Sequence, residues 1–517
     1  MNRGSKRSKA QRGVALLSVI ALLLIFIIFA GVVIVHMAQE VNTVRYDGVS
    51  NRALVAADAG IRNMIVAIEE TIPTGVLPGP ISYTYPEAAG TPTVSYTARI
   101  TGGWDPLQPV GDRFYLITAT GSVLEGGQFF NRTVSAMIKA QSSTTFGSAS
   151  NYGTNQFGKQ VWYTPTQQFD GPVYDGGPMH VLYDDSSTTP IFQSSVQTPN
   201  TPVWSDVQGG TTPTTSGDWG SIISSGPSDF SIGGNPIGLP QPVSNMLIAS
   251  EAYYGDATHT SSFPPCAAIC MNQVPAEKGS GALTTGIYIN GGAMIAGVSA
   301  GSTQTFTITG GFGTYKIKID FGSNTTTVTK GSSTATYSGV PSGDNGGVGN
   351  GAIFDDGNAT ISLGTTIQGQ YVLTVPDFST VQNNIYINGA GSITYNDPTK
   401  DLLGLWANNV VVTSAASNIT IDAAIIAGYP GEAANSGGFY NWWCNANTCT
   451  KGDQGTLTLN GSVMENMRGA LGKFISAAVH VGYDRHINYD ARLGSHPPPF
   501  YPVTGNYSII AWDDEGM

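Results

Sequence analysis

Positions 14–35 are apolar almost without a break; only Ser18 and Gly31 interrupt the run from Val14 to Val35. About 22 residues at ~1.5 Å each cross the hydrocarbon core of a bilayer, so this pattern predicts a transmembrane helix. After His36 the pattern turns mixed. Leu54, Ala57, Ile61, Met64 or Ile65, and Ile68 recur at spacings of three and four, with Arg45, Arg52, Asp58, Arg62 and Glu69 mostly off that stripe. Such spacing predicts an amphipathic helix with one buried face. The first proline after the apolar run is Pro73. One helix over 14–72 is therefore expected, on the order of 85 Å long, with 14–35 in the membrane.

Beyond Pro73 the period shortens to two, the spacing of strands. Over 73–141, Val94–Ile100 alternates, and Phe114–Gly121 followed by Thr133–Lys139 reads as a hairpin turning at Gly126-Gly127. Residues 142–285 are rich in Gly, Pro, Ser and Thr and read as an irregular β region, with a short helix expected over Leu247–Tyr254. A hexad then repeats: Gly286-Ile287-Tyr288-Ile289-Asn290-Gly291 and Asn384-Ile385-Tyr386-Ile387-Asn388-Gly389. Related short runs end in similar turns, which predicts a β-solenoid-like domain over 286–461. Clean alternation at Thr305–Ile308, Tyr315–Ile319 and Thr325–Val328 predicts a β insertion at about 300–350. The segment 462–517 is expected to cap the open end of the solenoid. The fold class is thus mainly β with one long N-terminal α-helix.

Charge adds orientation. Arg3, Lys6, Arg7, Lys9 and Arg12 precede the apolar run, and no acid occurs before Glu40. A basic flank stays cytoplasmic, which exports everything after His36. The run is too long for the apolar core of a cleaved signal peptide. The formal net charge of −12, with only 11% charged residues, argues against a general nucleic-acid-binding surface. The four cysteines form two close pairs, Cys266 with Cys270 and Cys444 with Cys449. Export favours disulfides, either local or crossed, over a four-thiolate zinc site.

A short basic leader (1–13) ending in Gly13, an apolar helix starting at Val14, and the alanine-rich stretch Ala53-Leu54-Val55-Ala56-Ala57-Asp58-Ala59-Gly60 resemble the PilX-type large minor pilins. The β-rich head resembles the large pilin-like proteins of Deinococcus- and Thermus-type bacteria. The resemblance implies cleavage by a prepilin peptidase between Gly13 and Val14, an inner-membrane helix, other pilins as partners, and a pilin-like sheet over 73–141. It also implies an export-side head in the cell envelope or pilus. Pilins usually carry a glutamate where this chain has Ser18, a group that pairs with a neighbouring subunit. Its absence points to a tip position. Large competence pilin-like proteins make DNA an alternative partner, against which the net charge weighs.

No catalytic constellation stands out, and no cofactor is expected. His480 and His486 lie near Asp484 and Asp490, but packing histidines explain them as well. Asp355-Asp356-Gly357-Asn358 and Asp344-Asn345 offer oxygens to Ca²⁺ yet do not match the EF-hand loop, and turns need the same residues. The acidic neighbours Asp184-Asp185 and Asp355-Asp356 point to opposite faces of a strand, unlike a glycosidase dyad. The best binding candidate is the aromatic loop Phe439, Tyr440, Trp442 and Trp443 beside Cys444, suited to sugars, a protein or single-stranded bases. The expected function is that of a type IV pilus minor pilin or assembly subunit. The alternatives are a DNA- or surface-binding pseudopilin and an anchored envelope protein outside any filament.

Overall fold

The computed structural model describes residues 7–71, 78–85, 93–103, 114–164, 166–183, 191–199, 203–206, 211–213, 223–224, 229–232, 239, 267–272, 274–343, 351–375, 377–378, 381–428, 433–444, 450–476, 479–499, 501 and 503–514. Two compact units emerge. One comprises residues 1–103, 114–139 and 509–517, the other 104–113 and 140–508.

The first unit is a helix on an antiparallel sheet. The helix spans Arg7–Thr71, so it begins inside the basic leader rather than at Val14. Arg, Lys, Ala and Gln over 7–12 are good helix formers, and nothing there breaks the pattern. The described helix ends at Thr71, two residues before Pro73, and a proline disfavours the α region in the residue preceding it. It is long and apolar enough to cross a membrane. The sheet runs in the order Ile81–Thr84, Thr93–Gly103, Phe114–Glu125, Gln128–Ser142, Val503–Asp514. Glu125 pairs with Gln128 around Gly126 and Gly127, both at positive φ, as a two-residue hairpin turn requires.

The second unit is built mainly on parallel strands stacked in two long sheets. One sheet aligns Ile287, Ile353, Leu373, Leu405, Ile425 and Val463 on successive strands. The opposite sheet aligns Ile295, Ile361, Ile387 and Val412. All of these side chains are buried in one apolar cluster, each contributing roughly 1.5–3 kcal/mol before ordering costs. Asparagines stitch the coil corners. Asn384 N–H donates to Asn358 Oδ1 at 2.7 Å, and Asn409 Nδ2 donates to Asn384 Oδ1 at 2.9 Å. Gly437 and Gly438 donate to Asn409 Oδ1 at 3.2 and 3.1 Å.

Three features depart from the sequence reading. The two copies of the hexad lie on different sheets: Ile287 pairs with Ile353, whereas Ile385 pairs with Ala359 and Val410. A strand ending in a turn is all that the hexad encodes. The region 142–285 holds regular coils as well. Ser148–Tyr152, Val173–Asp175, Val196–Thr198 and Phe230–Ile232 extend the main sheet from the far side of Asp453–Met467. The segment 462–517 does not cap an end. Leu493 and Tyr501 pack in the cluster on the outer side of the main sheet, and Val503–Asp514 joins the helix unit's sheet. Gly404 leaves the room that Tyr501 and Pro498 fill. The insertion is an antiparallel meander, Met294–Ala300, Thr303–Gly310, Gly313–Asp320, Thr325–Lys330 and Ser333–Ser338, continuous with the second sheet.

Candidate functional site

The helix divides into two functional halves. From Leu16 to Val35 its side chains are exposed on every side, Ser18 among them. From Val49 onward one stripe is buried: Ala53, Ala57, Gly60, Ile61, Met64 and Ile68. Ala53 takes the place that periodicity assigned to Leu54, which is half-buried. The small residues permit close approach. A Cβ on Gly121 of the facing strand would stand 1.9 Å from the Ala53 carbonyl oxygen, and one on Gly60 would stand 3.1 Å from Ala119 Cβ. The alanine-rich stretch is thus a docking surface for the sheet. Polar groups frame it: Arg45 pairs with Glu125 at 2.8 Å, and Arg132 Nη1 donates to Ser50 at 3.2 Å and also pairs with Asp514. Gly13 and Val14 lie within the helix.

The aromatic loop does not form one four-ring surface. Phe439 and Trp443 belong to the apolar core, Tyr440 is half-buried, and Trp442 is 64% exposed. Trp443 Nε1 donates to the Ser414 carbonyl at 3.2 Å, and its ring packs 5.7 Å from Tyr483. Burial pushes the Tyr440 phenol up to about 12.

Beneath the loop lies a buried charge network that the sequence did not signal. Arg485 and Glu465 pair at 2.8 Å with side chains 3% and 0% exposed. Glu465 Oε2 accepts from Phe439 N–H at 2.9 Å and Gly469 N–H at 3.1 Å. Arg485 Nη2 donates to the carbonyls of Phe439 and Gly469 at 3.1 and 2.8 Å. Beside it, the Arg468 guanidinium lies 3.2 Å from the centre of the Tyr163 ring. Burial pushes the nearby Asp175 carboxyl up to about 6, with Arg468 opposing the rise. These charges join Val173–Asp175, from the early coils, to Asp453–Met467 and Val479–Tyr489, from the late ones. They are scattered over some three hundred positions in the chain, so no local motif reveals them.

The remaining candidates are dispersed. Asp355 Oδ2 accepts from Ala293 N–H at 2.8 Å, Asp356 Oδ2 from Tyr288 at 3.2 Å, and Asn358 Oδ1 from Asn384 N–H. One oxygen of each of these side chains thus serves a protein donor, while Asp355 Oδ1 is buried without a hydrogen-bond partner. Burial pushes the Asp355 carboxyl up to about 7 and raises Asp356 as well. Asp490 holds Arg492 at 2.6 Å, Asp484 accepts from Thr166, and His486 Nε2 lies 3.0 Å from the Thr166 carbonyl oxygen. Among the described residues, no three His, Cys, Asp or Glu stand close enough to hold a metal ion. Cys270 and Cys444 are each in a disulfide. Cys266, Cys449, Asp184-Asp185, Asp344-Asn345 and Leu247–Tyr254 lie outside the described residues, as does the side chain of His480.

No protein-family model and no curated protein matches the chain. Among solved structures it is similar to the competence-associated pilin ComZ from Thermus thermophilus, with 12% identity and a TM-score of 0.25, over 90% of this chain and 97% of that one.

Proposed function

We propose that this chain is a pilin-like subunit of a type IV filament, held in the inner membrane by its helix before assembly and presenting an exported β head. The observation that carries this reading is the division of one unbroken helix. Its first half is apolar on every side and exposed, while its second half is buried on a sheet through small residues. A side chain set that is apolar all round needs lipid or other helices around it. A simple anchor has no use for the 36 helical residues that follow Val35, or for docking them on a sheet from Val49 onward. Other pilins and a prepilin peptidase acting between Gly13 and Val14 are the partners this implies. The role is structural, with no catalysis. Ser18 brings no charge to the membrane segment, which supports a place at the tip, where no subunit above needs pairing. Filaments sheared from cells and labelled with antibody to the head test this. Label at the ends supports the tip, label along the shaft refutes that position, and absence from filaments supports an anchored envelope protein instead.

A second reading, a DNA- or surface-binding pseudopilin, is supported by Trp442, whose ring is open to stacking. Binding of the full chain to single-stranded DNA across a salt series tests it; no affinity at low salt refutes DNA.

We further propose local disulfides, Cys266–Cys270 and Cys444–Cys449. Cys444 Sγ lies against Leu471 and Gly482, beside the strand Asp453–Met467, which is six strand steps from Ile269–Met271, the strand that carries Cys270, about 29 Å at ~4.8 Å per step. A disulfide needs Cα atoms within about 7 Å. Cys449, five residues from Cys444, is poorly placed to reach Cys270. Non-reducing peptide mass mapping decides: a crossed peptide pair contradicts the assignment.

A further inference from the structure

The register of the meander places its exposed residues in a regular field. Lys316 stands between Thr307 and Thr329, and Lys318 between Thr305 and Thr327, on directly opposed positions of three strands. Thr329 is in turn opposite Thr334, and Thr327 opposite Thr336. Both lysines are exposed, and among the described residues neither is in an ion pair. The aromatic rings of these strands, Phe306, Tyr315 and Tyr337, all point the other way into the core. Asp320, at the end of the lysine strand, is held in its turn by the N–H groups of Gly322 and Ser323.

The same outer face continues across the parallel strands. A row runs from Thr314 through Thr309, Met294, Thr360, Tyr386 and the buried Val411 to Tyr440. Seven strands at ~4.8 Å make it about 29 Å long. Met294 is exposed, Tyr386 and Tyr440 are half-buried, and the exposed Trp442 follows at the end. One face of one sheet therefore carries hydroxyls and two cations at one end and aromatic rings at the other.

We propose that this face binds an extended, sparsely charged acidic polysaccharide. The proposal names the ligand class for the surface-binding reading above and rests on the head being accessible outside the membrane. Threonine hydroxyls both donate and accept, as sugar hydroxyls do. Tyr386, Tyr440 and Trp442 present amphipathic rings for the apolar faces of sugar rings. Lys316 and Lys318 meet widely spaced carboxylates. A nucleic acid is the poorer match. It carries one phosphate per nucleotide and is bound through many cations, whereas this field has two. The lysine field also has no ring on which a base can stack.

The test uses the full chain in lipid nanodiscs with three probes: hyaluronate, which carries one carboxylate per two sugars, neutral dextran and single-stranded oligo-dT. Hyaluronate is expected to bind, with weaker or no binding of the other two. Lys316→Ala with Lys318→Ala should weaken binding about tenfold, and Trp442→Ala several-fold, with unfolding midpoints unchanged because all three side chains are exposed. Tighter binding of oligo-dT than of hyaluronate, equal binding of dextran, or unchanged affinity in the lysine variant would overturn the proposal. None of these readouts depends on filament assembly, so a subunit absent from filaments but positive here separates the two readings.

Discussion

The helix unit and the β head bury their interiors by different means. In the helix unit, no charged side chain is buried among the described residues. Alanine and glycine let helix and strand approach, and ion pairs such as Arg45–Glu125 stay at the rim. The head stacks branched side chains coil on coil but also buries Asp175, Asp355, Glu465, Arg468 and Arg485. The contrast is one of specification. A close-packed apolar seam is fixed by shape, and a coil can slip in register unless polar groups pin it. Asp175, Glu465, Arg468 and Arg485 lie where early and late coils meet, the join that sequence order does not enforce, whereas Asp355 lies elsewhere in the stack, accepting from Ala293 N–H.

Four measurements sharpen or break this contrast. Glu465→Ala strands Arg485 without its carboxylate, and the head should lose about 3–5 kcal/mol. Unfolding followed by tryptophan fluorescence reads this, since seven of the eight tryptophans fall within the head's residues and Trp512 alone in the other unit. A loss below about 1 kcal/mol means the network is not what pins the coils. Gly121→Ala drives a methyl into the Ala53 carbonyl, costing the helix unit about 3 kcal/mol. Limited proteolysis should then release the sheet strands while the head stays intact.

The third measurement is pH dependence. The folded-state carboxyls of Asp355 and Asp175 are raised to about 7 and about 6 from an ordinary value of 3.8. Between those values the folded head binds more protons than the unfolded chain, so its stability falls as pH rises from about 4 to about 7. Asp355→Asn keeps an acceptor for Ala293 N–H and should flatten the profile; an unchanged slope contradicts the assignment. Smallest is Arg45→Ala, which removes a rim pair and should cost no more than about 0.5 kcal/mol.

Much of this architecture is legible in the chain. Apolar continuity over 14–35 and spacing over 54–68 give the helix, because burial on one face dictates periodicity. Period-two alternation gives the meander, and Gly126-Gly127 gives its own hairpin. The coil order is not legible. Short strands such as Val173–Asp175 and Val196–Thr198 carry too few residues to show a period, and partners such as Val463 and Ser148 lie far apart in sequence. The sequence marked Trp442 and its neighbours as a binding loop but could not show that Phe439 and Trp443 face inward. Nor could it place Tyr440 on the same face as Lys316, since register is set by pairing between strands.

The central claim, that the helix is a pilin's, is tested most directly by the N-terminal mass of the native protein extracted from membranes. A mature chain beginning at Val14, with the thirteen leader residues gone, is the predicted result. A chain still carrying Met1 and the basic leader in cells that process their other pilins would contradict it.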